Sequence, residues 1–202
     1  MNILLTKLPK SVEIKDREYL VKTDFRAWIE FEIEFQKTSN LERKLDLIFN
    51  MFKIRPVIKN VDEFNCLIKE IIKFYNCDEK INNEKGNENN SSGPLIYSFK
   101  NDHFHIYTDF LRFYSIDLNE VKYLHWWKFR QMFIELPEDS KIKTIMMYRS
   151  IKITSKMSPE HRQFYAKMKR IYALEDNRTA KDKTRSFGSL LASHMKITDK
   201  VR

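Results

Sequence analysis

The stretch LHWWKFRQMF, residues 124–133, sets Trp126 and Trp127 side by side between His125 and the cations Lys128 and Arg130. Indole faces next to cationic side chains can stack nucleobases and neutralise phosphates. The same residues can anchor a partner protein in a groove or fill a core. On a helix, neighbouring side chains point about 100° apart, so the two indoles cannot stack on one base. Val121, Phe129, Met132 and Leu136 share one flank of such a helix, with Trp126 and Phe133 further round it. Trp127, Ile134 and Tyr123 take the opposite sector. A helix that is apolar nearly all round is a central, buried one, and the core reading leads. His125 and Lys128 fall in one narrow sector, expected to face solvent.

Other chemistry-bearing residues form no constellation. His103 and His105 fall at the start of an expected helix, where they point about 200° apart, a poor arrangement for sharing a metal. Cys66 and Cys77 lie on and at the end of another helix, without a CxxC or His-rich companion, and read as reduced thiols rather than a zinc site. There is no GxGxxG, no GxxxxGK[ST], no HExxH and no GxSxG. The reading is a binding or assembly protein that is not an enzyme and uses no cofactor or metal.

A chain of 202 residues suits one domain or one domain with a small appendage. Three glycines and five prolines argue against a loop-rich sandwich or barrel and for helices. No apolar run approaches the roughly 18 residues of a membrane span, and MNILLTKLPKSVEI lacks a signal-peptide pattern, so a cytosolic protein is expected. The net charge of +9 would favour an acidic partner or nucleic acid. Residues 1–75 carry 14 basic and 12 acidic groups, residues 101–173 carry 13 and 8, and residues 174–202 carry 7 and 4. Counted this way the excess is diffuse, and a solvated surface is expected rather than a phosphate-binding stripe.

The elements that would position these residues are mostly helical. Val12 and Ile14 alternate with polar residues, and Tyr19-Leu20-Val21 follows a polar turn, which predicts a hairpin. Helices are predicted from Thr23 or Asp24 to Lys37, from Asn40 to Lys53, and from Val61 to Tyr75. Residues 76–93, rich in Asn, Lys and Glu, read as a linker. Beyond it, helices are predicted over 101–114, with Phe104, Tyr107, Phe110, Leu111 and Tyr114 as the apolar face, and from Leu118, capped by Asp117, to Leu136. A shorter helix is predicted over 140–151, an extended piece from Ile151 to Met157, and a last helix capped by Ser158 with Pro159 at its first position. Phe164, Tyr165, Met168, Ile171 and Tyr172 would be its apolar face. Residues 175–202 read as a polar tail. The fold class is mainly α: an N-terminal β-hairpin followed by a compact bundle of about six to seven helices. Residues 1–75 and 94–174 pack together across the linker.

The order of IYTDFLRFYSIDL (106–118), LHWWKFRQMFIEL (124–136), YRSIKI (148–153) and MKRIYAL (168–174) resembles the bacteriophage gene-product-fifteen family. LPKSVEI and REYLVKTDFRAWIEFE, within residues 8–32, resemble that family's N-terminal hairpin and first helix. Two positions depart from the family pattern. The hairpin turn, placed at Asp16-Arg17, lacks glycine, and Ser115 stands where the family commonly has glycine. The resemblance implies a tail-module protein of phages or prophages, encoded near the tape-measure gene and working in the host cytoplasm. That position is similar to the place of tail assembly chaperones, so the implied partner is the helical tape-measure protein or another tail protein. A second tail assembly chaperone and a second copy of this chain are further partners the resemblance admits. A structural virion component and a basic nucleic-acid-binding accessory protein are the alternatives. Trp126, Trp127, Lys128, Arg130, Lys169 and Arg170 are the candidate partner-binding residues, each weighed against a core or solvated-surface role.

Overall fold

A computed structural model of the chain describes residues 3–78 and 95–174. The linker and tail expected from sequence fall almost wholly outside these residues. Two strands and seven helices are described: β1 (Ser11–Ile14), β2 (Arg17–Leu20), α1 (Phe25–Lys37), α2 (Leu41–Phe49), α3 (Val61–Tyr75), α4 (His103–Tyr114), α5 (Trp126–Ile134), α6 (Lys141–Ser150) and α7 (Pro159–Ile171). The mainly α fold with an N-terminal hairpin is the architecture expected.

The strands pair antiparallel with Ile14 opposite Arg17. The connecting residues are therefore Lys15 and Asp16, one position earlier than expected. Both have positive φ, 44° and 62°. That is the mirror-image turn that matches strand twist, made here without glycine. The alternation buries Val12 and Ile14 and packs β1 on α3.

Polar caps set the helix starts. Asp24, Asn40, Asn60, Ser140 and Ser158 each accept a hydrogen bond from a first-turn backbone N–H. At α6, Asp109 of α4 accepts from the N–H groups of Lys141 and Ile142 as well, at 3.2 and 2.8 Å. With Ser140 taking Lys143, the exposed donors of that helix start are all satisfied.

Several expected boundaries move, for identifiable reasons. The second helix stops at Phe49 rather than Lys53. The backbone of Met51 to Lys53 is used by the strand segment, with Met51 O accepting from Lys22 N and Lys53 N donating to Leu20 O. The tryptophan helix begins at Trp126, not Leu118. Asp117 caps only a turn, over Asn119 and Glu120. The chain then runs extended into α5 and pairs with the entry to α1: Phe25 N donates to Leu124 O and Trp126 N to Thr23 O. Ile151–Met157 pairs with no strand among the described residues and ends in a turn. On α4 the buried face is Ile106, Asp109 and Phe110, whereas Phe104 is 71% exposed and Leu111 is also exposed. Ser115 ends α4 in the left-handed region at φ 53°, a conformation costing about 1 kcal/mol without glycine.

Residues from both halves of the chain share one hydrophobic core. At its centre Trp126 stacks on Trp28 at 5.9 Å and on Tyr75 at 5.4 Å. Phe129 continues the series against Phe25 at 4.8 Å and Phe110 at 5.0 Å. No helix among the described residues is long and apolar enough to cross a membrane.

Candidate functional site

The two tryptophans lie in the core, Trp126 at 0% and Trp127 at 6% exposure. Their indole N–H groups explain why two are needed side by side. Trp126 Nε1 donates to the Tyr75 carbonyl at 2.9 Å, and Trp127 Nε1 donates to the Phe74 carbonyl at 2.8 Å. These are the last two carbonyls of α3, which have no partner within their own helix. Asn76 N and Asp78 N take the carbonyls of Ile72 and Lys73, with Cys77 and Asp78 turned into the left-handed region. Two adjacent indoles thus cap two successive carbonyls at the end of α3. Neither ring is on the surface.

Arg130 sits on the same side of α5, half-buried, its guanidinium 5.0 Å from the Tyr75 ring centroid and 5.9 Å from that of Trp126. Its Nε finds no hydrogen-bond partner among the described residues. The Tyr75 hydroxyl donates to the buried carboxylate of Glu32, which also accepts from Gln36 Nε2 at 3.2 Å. Burial pushes the Glu32 carboxyl above its ordinary range, opposed by the Tyr75 hydrogen bond and the positive field of Arg130. The cluster joins α1, α3 and α5 inside the core and carries a buried acid that sequence inspection did not single out.

His125 is buried at 6% exposure, not on the solvent-facing strip expected of it. It is the N-cap of α5. Its Nδ1 accepts from Trp127 N at 3.1 Å, and its Nε2 lies 2.9 Å from the carbonyl oxygen of Pro9. A backbone N–H only donates and a carbonyl only accepts, so the proton resides on Nε2. Protonating Nδ1 would set an N–H against the N–H of Trp127. Burial lowers the His125 pKa below its ordinary 6.5; Lys10 adds to this and the Pro9 bond opposes it. The unfolded chain then takes up a proton that the native chain resists. The contribution is complete above about 6.5 and declines below it, levelling once pH passes the folded-state value. The unfolding free energy of the wild type should therefore fall more between pH 7.5 and 5 than that of His125→Asn, whose amide can still cap. Parallel urea midpoints for the two proteins would contradict the assignment.

The four candidate cations separate. Lys128 and Arg170 are exposed. Arg130 is engaged as described, and Lys169 is half-buried, donating to the Arg149 carbonyl at 3.1 Å. The arrangement does not gather Trp126, Trp127, Lys128, Arg130, Lys169 and Arg170 into one face: α5 packs on α1, while α7 packs on α6. Helix α7 has no buried residue at all, and leaves Phe164 45% and Ile171 55% exposed. It meets α6 through Tyr148, whose ring stacks on Tyr172 at 5.9 Å and touches one edge of the half-open Phe164 ring at 6.0 Å.

Among the described residues no group of three or more His, Cys, Asp or Glu side chains could hold a metal ion. Cys66 and Cys77 are half-buried and form no disulfide. A hollow along the hairpin is lined by Ser11, Val12, Glu13, Asp16 and Glu18.

No curated protein and no solved structure matches the chain. A family model described as Bacteriophage Gp15 protein matches residues 4–174, which take in the hairpin, all seven helices and the buried tryptophan pair. The chain therefore belongs to the bacteriophage Gp15 protein family.

Proposed function

We propose that this protein is a non-enzymatic tail-morphogenesis protein of a phage or prophage. It acts in the host cytoplasm as a tail assembly chaperone that holds the helical tape-measure protein until the tail tube forms around it. The family membership supports the phage setting, and the tail-module position implied by the resemblance supports the client. The observation that carries the reading is α7. A helix of thirteen residues that buries none of them keeps an apolar stripe for something else. Phe164 and Ile171 lie seven residues apart on that stripe, the spacing with which one helix reads another.

The test is co-expression with the tape-measure protein of the same phage. The client should become soluble and co-elute with the tagged protein. Phe164→Glu with Ile171→Glu should lower the recovered client roughly tenfold, the effect of losing about 1.4 kcal/mol. An insoluble, unbound client beside the wild type removes the reading. Detection of the protein in purified virions would instead make it a retained tail component.

A further inference from the structure

Residues 141–170 contain nine Lys and Arg and a single acidic residue, Glu160. Residues 101–140 contain four basic and seven acidic residues, so a count over 101–173 averages the two and hides the contrast. These residues lie on two helices that pack on each other, α6 and α7, and on the short connection between them. Arg149 is consumed by Asp102, and Lys143 pairs with Glu138. Lys152, Lys156, Lys167 and Arg170 are exposed and meet no carboxylate among the described residues.

We infer that the outer face of α7, with the connection that precedes it, docks an acidic amphipathic helix of a protein partner. This rests on the tail-chaperone reading and specifies the segment of the client that is held. On the α7 surface Lys167 lies between Phe164 and Ile171 at helical spacing, with Arg170 one step round. Two apolar anchors flanked by cations complement a helix whose apolar stripe is flanked by Asp or Glu.

A nucleic acid fits the same face less well. The aromatic rings near it are engaged with each other: Tyr148 stacks on Tyr172 and tilts against Tyr165. Phe164 meets Tyr148 and Tyr165 edge-on, and Ile171 offers nothing to stack. Single-strand binders place successive aromatic faces along a basic groove. Both tryptophans of α5 are buried under α3.

The experiment uses the full-length protein and fluorescent fragments tiling the tape-measure protein of the same phage. An oligothymidylate and a short random duplex are measured alongside by anisotropy. The fragments bound should be net-acidic amphipathic helices. Their affinity should fall tenfold or more in Lys152→Glu/Lys156→Glu/Lys167→Glu/Arg170→Glu, whose sites are all exposed and leave the fold intact. It should fall similarly at ~1 M salt, where screening acts within about 3 Å. A fragment with its acids exchanged for lysine should recover binding to the charge-reversed protein. Binding of neutral or basic fragments, or indifference to the charge reversal, overturns the inference and leaves the chaperone reading standing. Tighter binding of either oligonucleotide, lost in the same variant, overturns it in favour of a nucleic-acid surface. Absence of every fragment, together with failure of the full-length client to co-elute, removes both readings at once.

Discussion

Arg149→Ala is expected to destabilise the protein by about 3–5 kcal/mol, with a fall in Tm on the order of 10 °C. The guanidinium holds Asp102 with both terminal nitrogens, at 2.6 and 2.8 Å. Its Nε donates to the Tyr172 carbonyl at 2.7 Å, and one terminal nitrogen also reaches the Ile96 carbonyl at 3.0 Å. One side chain thus ties α6 to the start of α4, to the segment before it and to the end of α7. Both members of the pair are buried. Truncation would leave the Asp102 carboxylate in the interior with only the N–H of Ser98 on its oxygens. The isolated charge is the larger part of the loss, since a well-paired buried ion pair contributes little net stability by itself. Arg149→Met with Asp102→Asn should therefore recover much of what Arg149→Ala loses. Arg149→Lys should remain well below wild type, because an ammonium cannot reproduce the planar fork. Urea unfolding with an unchanged m-value measures all three. An Arg149→Ala protein within about 1 kcal/mol of wild type would show that the ion pair does not organise this end of the molecule.

Arg149 also shows what the sequence could and could not disclose. Its place on the buried side of a helix with Ile142 and Ile145 follows from spacing alone, and the structure puts it there. Asp102 lies 47 positions away, and no local pattern links the two. The same division runs through the fold. Local signals, such as the capping side chains of Asn60 and Ser158 and the 3.6-residue stripe of α3, locate helices to within a residue. Long-range backbone pairing overrides them. Leu118–Leu124 carries apolar residues at plausible helical spacing, yet its end is held extended against the entry of α1. Of the α4 stripe Phe104, Tyr107, Phe110, Leu111 and Tyr114 that spacing predicts, Phe110 is buried while Phe104 and Leu111 are exposed. Burial goes instead to Ile106 and to Asp109, whose carboxylate is required at the start of α6. The basic character of α6 and α7 is visible in the composition of residues 141–170, with nine basic residues and one acidic residue. That α7 would leave its apolar stripe open could not be read from the stripe, because amphipathic pattern states that a face wants covering and not what covers it.

The tryptophan pair yields the second large effect, and its internal ordering discriminates between roles. Trp126→Ala should cost about 3–5 kcal/mol, since it empties the centre of the aromatic stack between Trp28, Tyr75 and Phe129. The more informative variants keep the ring and remove the donor. Trp126→Phe removes the indole donor from the Tyr75 carbonyl at the end of α3, and should cost about 1–3 kcal/mol. Trp127→Phe should cost less, because the Phe74 carbonyl keeps the backbone N–H of Cys77 at 3.1 Å. In both, the amides of Asn76 to Asp78 should exchange faster, as the end of α3 loosens before the rest of the chain. A pair of docking residues would behave in the opposite way. Their loss would leave urea midpoints unchanged and weaken client recovery, as expected of Phe164 and Ile171 on α7. Two adjacent indoles in a cationic stretch invite the docking interpretation on chemistry alone. The carbonyls they cap explain the same doublet as structure and move the search for a partner to α7.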